Sequence, residues 1–538
     1  MAPKRRLSGS APTDTSKRIR QSLTHNHLAK LSDELIIRIL SFVDERSLLE
    51  TALVCKRLHA VTADAQLWRE HYYRRFILPR AHRIPGFRLA HDNPSPSKLF
   101  YTAQKSAWAE AAARRSGIST PSSDIAPQDM ADAVDWKKQY KLRHNWAKGQ
   151  CAVEQVRVHE MQRDPTLEWQ TLVKVVEGLA VTADGQSGLR AWDLRTKNAI
   201  VQMDWAQDDG RPTCLAVDDA RLSDGSLDIA IGFHDGTFGL WRLDIKRRQL
   251  SLVHRQPEST LGKLSAIAAG FPYILTATGL GFISLYSFGD AATPAANTTA
   301  PPPPKLLTSL KSHSTRPPLA LSIRRTPVSV VASIAYTFDA VGGWSIGIQD
   351  LAIHPTGTVT SRIASTLPSQ TRTSLSSRTT ILPSNDISTD EEEREERTSG
   401  GDGPTRLCYS HPYLLATLPD NTLVLHLCTS SATSLSISPA IRLWGHTSGI
   451  SDAEITPRGK AVSVSTRGNE IRLWELEGRA GGTSVTVKPR HDASDDDYGQ
   501  DSDDGDERRN RVGFDEEMVI VLKEASDGRD SLVVYDFT

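Results

Sequence analysis

Glu470-Ile-Arg-Leu-Trp474-Glu-Leu476 is the stretch that decides the fold of most of this chain. Polar and apolar side chains alternate up to an aromatic residue, the pattern of a strand whose two faces meet different surroundings. The unit recurs as Gly188-Leu-Arg-Ala-Trp192-Asp-Leu194, Thr237-Phe-Gly-Leu-Trp241-Arg-Leu243, Phe282-Ile-Ser-Leu-Tyr286-Ser-Phe288, Ser345-Ile-Gly-Ile-Gln349-Asp-Leu351, Thr422-Leu-Val-Leu-His426-Leu-Cys428 and Ser531-Leu-Val-Val-Tyr535-Asp-Phe537. Around Gln349 and His426 it lacks the aromatic and is recognisable only beside the others. The markers lie 49, 45, 63, 77, 48 and 61 positions apart, and the irregularity has a compositional cause. Residues 289–317 are rich in Ala, Pro, Thr and Ser. Residues 366–404 are rich in Ser and Thr and carry the acidic run 390–396, while 487–512 contain Asp495, Asp496 and Asp497. Such stretches bury little apolar surface and read as low-complexity inserts. Without them 294 residues remain between Cys151 and Thr538, or 42 for each of seven units, against about 40–45 for a four-stranded propeller blade. The expectation is a seven-bladed β-propeller over 151–538. Its last unit offers only three strands, and an unpaired edge invites aggregation. Residues 152–158 are the expected fourth strand, which brings both ends of the propeller sequence into one blade.

At 538 residues the chain exceeds one ordinary domain. Lys plus Arg and Asp plus Glu both number 64, so no net field favours nucleic acid or a membrane surface. No apolar run is long enough to span a bilayer, and the N-terminus lacks the apolar segment of a secretory signal. Five scattered cysteines (Cys55, Cys151, Cys214, Cys408, Cys428) form no close pair for zinc or redox work, and fit reduced thiols in the nucleus or cytoplasm. Residues 1–28 read as a disordered basic tail. Lys4, Arg5 and Arg6 with Lys17, Arg18 and Arg20 have the spacing of a bipartite nuclear-import signal, and equally suit a solvated tail.

Between residues 29 and 75 the periodicity is helical. Ser32 is placed to cap a helix, with Asp33 and Glu34 at the positive end of its dipole. Leu35, Ile39 and Phe42, widened by Ile36 and Leu40, build an apolar stripe. Ser47 to Glu50 has the form of a capping box, which predicts a second helix from there; a third short element ends in Leu67-Trp68. Three helices in ~40 residues cannot enclose so many apolar side chains, so the stripe is either a docking surface or a cap on the next domain. The segment resembles the F-box in Leu31, Glu34 and Leu35, in Ile39 to Phe42, Ser47 to Leu49 and Val54 to Lys56, and in Asp64, Leu67 and Trp68. Ser32 replaces the usual proline and Leu58 the usual aromatic. The resemblance implies docking to the Skp adaptor of a cullin–RING ubiquitin ligase through Leu31, Leu35, Ile36, Ile39, Leu40, Leu48, Leu49, Val54, Cys55, Leu58 and Trp68.

A helical linker is expected over 76–150. Its end, from Asp135 to Asn145-Trp146-Ala-Lys-Gly149, is in itself a basic amphipathic helix stopped by a glycine; it resembles the Asn-Trp-x-x-Gly linker of F-box/WD-repeat proteins. The sixth unit resembles the WD repeat best, and the resemblance implies a hydrogen-bonded structural tetrad of His446, Asp452, Ser465 and Trp474. The fold expected is α + β and multidomain: an N-terminal three-helix F-box and helical linker, then a seven-bladed WD-repeat-type β-propeller.

Catalytic motifs are missing. His159-Glu160 has no second histidine in zinc spacing, Gly279-Leu-Gly281 lacks the rest of a dinucleotide loop, and no Gly-x-Ser-x-Gly elbow occurs. No enzyme, cofactor or metal is expected, and function falls to binding. The residues seven before each marker lie at turns on one face of the ring. Among them Arg467 and His234, with the nearby Arg529, are the candidate substrate contacts, since an arginine fork suits a carboxylate or phosphate; solvated surface residues are the alternative. The resemblance implies a substrate-recognition subunit of a Skp–cullin–F-box ligase that holds an unidentified protein for ubiquitin-dependent degradation, with no nucleic-acid or membrane partner. The alternative is a nuclear propeller scaffold that uses its F-box outside a ligase.

Overall fold

The computed structural model describes residues 28–81, 134–157, 171–205, 210–256, 261–289, 304–312, 316–326, 329–341, 343–354, 357–370, 403–431, 433–476, 483–489, 510–523 and 531–538. It divides into two compact units, Met1–Tyr73 and Arg74–Thr538. No helix among the described residues is long and apolar enough to cross a membrane.

Among the described residues the first unit holds, after a 3-10 turn at Leu28–Lys30, four short α-helices, α1 (Asp33–Leu40), α2 (Glu45–Ala52), α3 (Lys56–Thr62) and α4 (Ala65–Tyr72), one more than expected. The last expected element is split because two side chains each start a helix: Cys55 Sγ accepts from the Leu58 amide, and the Asp64 carboxylate from the Gln66 amide. Asp44, not Ser47, caps α2, its carboxylate taking the Ser47 amide at 3.5 Å. Ser47 is already inside the helix, and its carbonyl receives the Thr51 hydroxyl. Ser32 holds the cap position of α1 without a capping bond. Arg57 secures that end instead, donating to Asp33 at 2.7 and 2.9 Å and to the Leu31 carbonyl.

Among the described residues the second unit contains seven sheets, antiparallel throughout except where Lys488–Pro489 pairs in parallel with Gln150–Cys151. Blade I is the meander Leu172–Val176, Leu179–Asp184, Gly188–Asp193 and Asn198–Met203. The same order of four strands, each bonded to the next, builds blade II (212–255), blade III (264–311), blade IV (316–365), blade V (406–443) and blade VI (450–486). Blade VII takes Arg511–Phe514, Met518–Lys523 and Ser531–Asp536 from the C-terminal end. Its outer strand is Gln150–Arg157, antiparallel, with Ala152 opposite Asp536 and Arg157 opposite Ser531.

Strands also occur inside the segments read as inserts. Lys305–Lys311 is the outer strand of blade III; an outermost strand needs few buried residues, so its composition does not set it apart from the Pro-rich stretch before it. Arg511–Phe514 falls at the edge of 487–512, and Ser369–Gln370 at the edge of 366–404 pairs with Gly343 and Trp344. Arg316 and Pro317 open the first strand of blade IV, and Lys488–Pro489 pairs in parallel with Gln150 and Cys151. Residues 290–303, 313–315, 371–402 and 490–509, and the basic tail through residue 27, lie outside the described residues.

Every consecutive pair of blades shares one buried apolar cluster. Leu189 and Phe233 lie in the cluster between I and II, Phe238 and Leu264 between II and III, and Leu285 and Ile334 between III and IV. Ile348 and Leu414 join IV to V, Leu425 and Trp474 join V to VI, and Val464 and Val519 join VI to VII. Ile520 and Trp192 close VII onto I. The marker aromatics Trp192, Trp241, Trp474 and Tyr535 each enter the interface with the preceding blade. At the same position in blades IV and V the side chain bonds within its own blade instead: Gln349 Nε2 donates to Ser361 Oγ at 2.8 Å, and the buried His426 ring pairs with the Ser438 carbonyl at 2.9 Å.

Buried histidines make the ring acid-sensitive. Burial carries the His446 pKa down to about 4 despite Glu470 at 3.5 Å, and burial with Arg324 does the same to His411. Unfolded histidines take their proton near 6.5, roughly, so between about pH 6.5 and 4 the unfolded chain binds more protons and native stability falls. Glu470 and Glu516 carry on the decline. Burial works to raise both, but Thr447 and Arg472 hold Glu470, and Lys460 and Arg458 hold Glu516, at about 2. Their contribution is complete above the ordinary glutamate value and is lost as pH falls toward 2. The melting temperature is expected to drop from neutral pH to about 4.5, and less steeply in His446→Asn; a melting temperature that rises over that interval contradicts this electrostatic account.

Candidate docking surfaces

On the helical unit, the nominated residues divide by which side of their helix they occupy. Leu35, Ile39, Leu49, Val54 and Cys55 are exposed, and Leu31 and Leu58 are half-buried. Ile36, Leu40, Leu48 and Trp68 are interior residues, at most 7 % exposed, and cannot be contact residues in this conformation. The reason is helical geometry: Ile36 and Leu40 share the inward side of α1, while Leu35, Ile39 and the following Phe42 share the other. Trp68 is further fixed by its indole N–H, which donates to the Thr62 carbonyl at 2.7 Å. Phe42 and Leu53, 72 % and 85 % exposed, join the surface set. Helical spacing marks all of these as apolar without saying which ones face inward.

Within the second unit, the linker helix Trp136–Lys148 is anchored by the residues of its own motif. Asn145 Nδ2 donates to the Phe537 carbonyl at 2.7 Å. The Trp146 indole stacks on Phe537, ring centres 4.6 Å apart, and its N–H donates to the Glu516 carbonyl at 2.9 Å. Lys460 Nζ lies 4.8 Å from the same indole ring and 2.5 Å from Glu516. Burial, with Arg143 nearby, lowers the Lys460 pKa to about 8 even with that carboxylate present. Gly149 ends the helix at φ 69°, and a Cβ there would sit 2.2 Å from the Thr486 carbonyl oxygen, so only glycine fits. The helix is thereby bound to blades VI and VII just before the chain enters the closing strand.

The blade VI tetrad differs from the expected set. Ser463 occupies the serine position: the His446 ring meets its hydroxyl at 2.6 Å, and the Trp474 indole N–H donates to it at 2.8 Å. Ser465 lies two residues further on, at the end of the strand, where its hydroxyl meets the Asn469 side chain and receives the Glu470 amide. Asp452 is also outside the set. Its carboxylate takes Arg406 of blade V at 2.7 Å and the Val512 amide of blade VII at 3.1 Å, linking three blades. A second ionic link, Lys174 of blade I to Glu454 of blade VI at 2.5 Å, reaches past the Gly513 backbone of blade VII.

Arg467 and His234 lie exposed at turns between the second and third strands of blades VI and II; Arg529 is outside the described residues. The Cys214, Cys408 and Cys428 thiols are pushed up to about 12, by burial first, which leaves them protonated and unreactive. Among the described residues no His, Cys, Asp and Glu cluster is arranged to hold a metal ion.

A helical module joined to a seven-bladed ring defines an F-box protein of the propeller class. Residues 29–74 match the F-box-like family, and residues 151–538 match the family described as the F-box protein pof12 beta-propeller. The chain belongs to that propeller family. No curated protein matches it. Solved structures similar to it include the RRP9 WD40 repeats, with 10% identity over 72% of this chain and 97% of that one at a TM-score of 0.40. The Cps50 (Swd1) β-propeller domain of Myceliophteria thermophila has 10% identity over 72% of this chain and 100% of that one, at a TM-score of 0.38.

Truncating Asn145 to alanine leaves the buried Phe537 carbonyl without its donor, which costs ~1–3 kcal/mol. Chemical denaturation of the full chain is expected to show that loss for Asn145→Ala and a change below about 0.5 kcal/mol for the exposed Lys148→Ala. Equal stability of the two variants contradicts the anchoring role.

Proposed function

We propose that this chain is the substrate-recognition subunit of a Skp–cullin–F-box ubiquitin ligase, its helices docking the Skp adaptor and its propeller holding the protein to be modified. One observation carries the reading: a helical module matching the F-box-like family leaves Leu35, Ile39, Phe42, Leu49, Leu53 and Val54 in water. Each large apolar side chain gains roughly 1.5–3 kcal/mol on burial, and six on so small a module make a surface suited to a partner. The chain's contribution to ubiquitin transfer is then positional. It raises the effective concentration of a substrate lysine near the charged enzyme and takes no part in the bond making itself.

An affinity pull-down from cells tests this. The intact chain is expected to recover the Skp adaptor together with a cullin, and Leu35→Asp with Ile39→Asp to lose both while the melting temperature stays within a few degrees. Undiminished recovery by the double variant overturns the docking surface; adaptor recovered without cullin overturns the ligase.

A further inference from the structure

The substrate class follows from what one rim of the propeller exposes. At this rim the turns between second and third strands meet the connections that enter each blade. The His234 amide bonds to the Arg211 carbonyl in blade II, the Gly279 amide to Lys263 in blade III, and the Thr466 amide to Gly449 in blade VI. Pairing of Ser369–Gln370 with Gly343–Trp344 returns the end of blade IV to the same rim, and Leu423 opposite Leu443 places Trp444 beside the blade V turn.

Four large apolar side chains stand in water here: Leu280 on blade III, Val341 and Leu367 on blade IV, and Trp444 between blades V and VI. The described rim of blades I, II and VII contributes none; the remaining exposed large apolar residues of the propeller (Leu252, Leu306, Ile363 and Leu427) lie within strands. Trp444 is held in place, its ring under the Arg442 guanidinium at 5.7 Å while Asp420 fixes that arginine at 2.8 Å.

The charges beside this crescent are one-sided. Asp184 already accepts from Gln186 and Ser187, Asp235 from Thr237, Asp420 from Arg442 and Thr422, and Glu470 from Arg472 and Thr447. Arg211, Lys263 and Arg467 are exposed, and no described side chain pairs with them. Among the described residues at the rim of blades III to VI the unpaired charge left over is therefore positive, on Lys263 and Arg467; on blades I and II the neutral donors leave Asp184 and Asp235 charged, and these offset Arg211. A phosphate dianion is best held by several donors converging on one point; cations spread over separate blades suit single carboxylates along a segment instead.

We infer that this rim, over blades III to VI, recognises an extended unphosphorylated segment of a partner protein in which aliphatic or aromatic side chains alternate with Asp or Glu. The apolar groups seat on Val341, Leu367, Leu280 and Trp444, and the carboxylates meet Lys263 and Arg467. This rests on the receptor reading above for its biological meaning, not for its binding chemistry.

A random peptide display library panned on the immobilised full-length chain tests it. Enriched peptides are expected to combine Leu, Ile, Phe or Trp with Asp or Glu. As synthetic peptides they should lose about tenfold in affinity with Trp444→Ser or Val341→Asp, lose their salt dependence in part with Arg467→Gln, and keep their affinity with Leu252→Ser. No enrichment, enrichment of basic peptides, binding that requires added phosphate, or affinities unchanged by the Trp444 and Val341 variants each overturn it. If the adaptor is recovered but the peptides ignore these variants, this inference alone fails. If peptides seat on this rim while no adaptor is recovered, the ligase reading alone fails.

Discussion

The structure depends on a single pairing of distant chain segments, Gln150–Arg157 against Ser531–Asp536. This pairing covers the edge of Ser531–Asp536 and ties the two ends of the propeller sequence into one blade; without it that edge is bare, and a ring that opens there exposes one face of an apolar interface. The fold surrounds it with redundant support. Asn145 and Trp146 bind the helix that precedes the strand to Phe537 and Glu516, which flank the blade's other strands. The Asp515 carboxylate takes the Gly178 amide of blade I at 2.5 Å, and Asp452 takes the Val512 amide from the other side. The link from Lys174 to Glu454 spans blade VII altogether. Blade VII, the blade with the greatest chain-entropy cost to assemble, is also the one tied from both sides.

How much of this the sequence discloses varies with the physics of each element. Strand alternation and the aromatic markers are legible because burial between blades demands them; Trp192, Trp241, Trp474 and Tyr535 sit where that demand is strongest. Blades IV and V are faint because Gln349 and His426 stand at the marker position and bond within their own blades, which leaves no hydrophobic signal there. The outer strand Lys305–Lys311 is hidden because an outermost strand buries little and follows a Pro-rich stretch. The Asn-Trp-x-x-Gly residues are legible as a unit, yet what each does comes only from partners nearly 400 positions away.

The docking residues show a different limit. Periodicity finds the apolar positions of a short helix, but in a small helical module almost every side of a helix is apolar, and the inward half is chosen by tertiary packing. Ile36, Leu40, Leu48 and Trp68 are drawn inside by that choice, and Leu35, Ile39, Leu49 and Val54 are left out. The tetrad serine is the same kind of problem: Ser463 and Ser465 occupy the same side of one strand, and only the position of the Trp474 indole distinguishes them.

Hydrogen exchange on the full chain, resolved to peptides, addresses the central claim most directly. If the two segments close the ring as one blade, the amides of 150–157 and 531–536 exchange slowly and together, and Asn145→Ala speeds both to a similar degree. Rapid exchange over 150–157 beside undisturbed protection over 531–536 would contradict it, because the C-terminal strand would then be stable without the partner on which the closed ring depends.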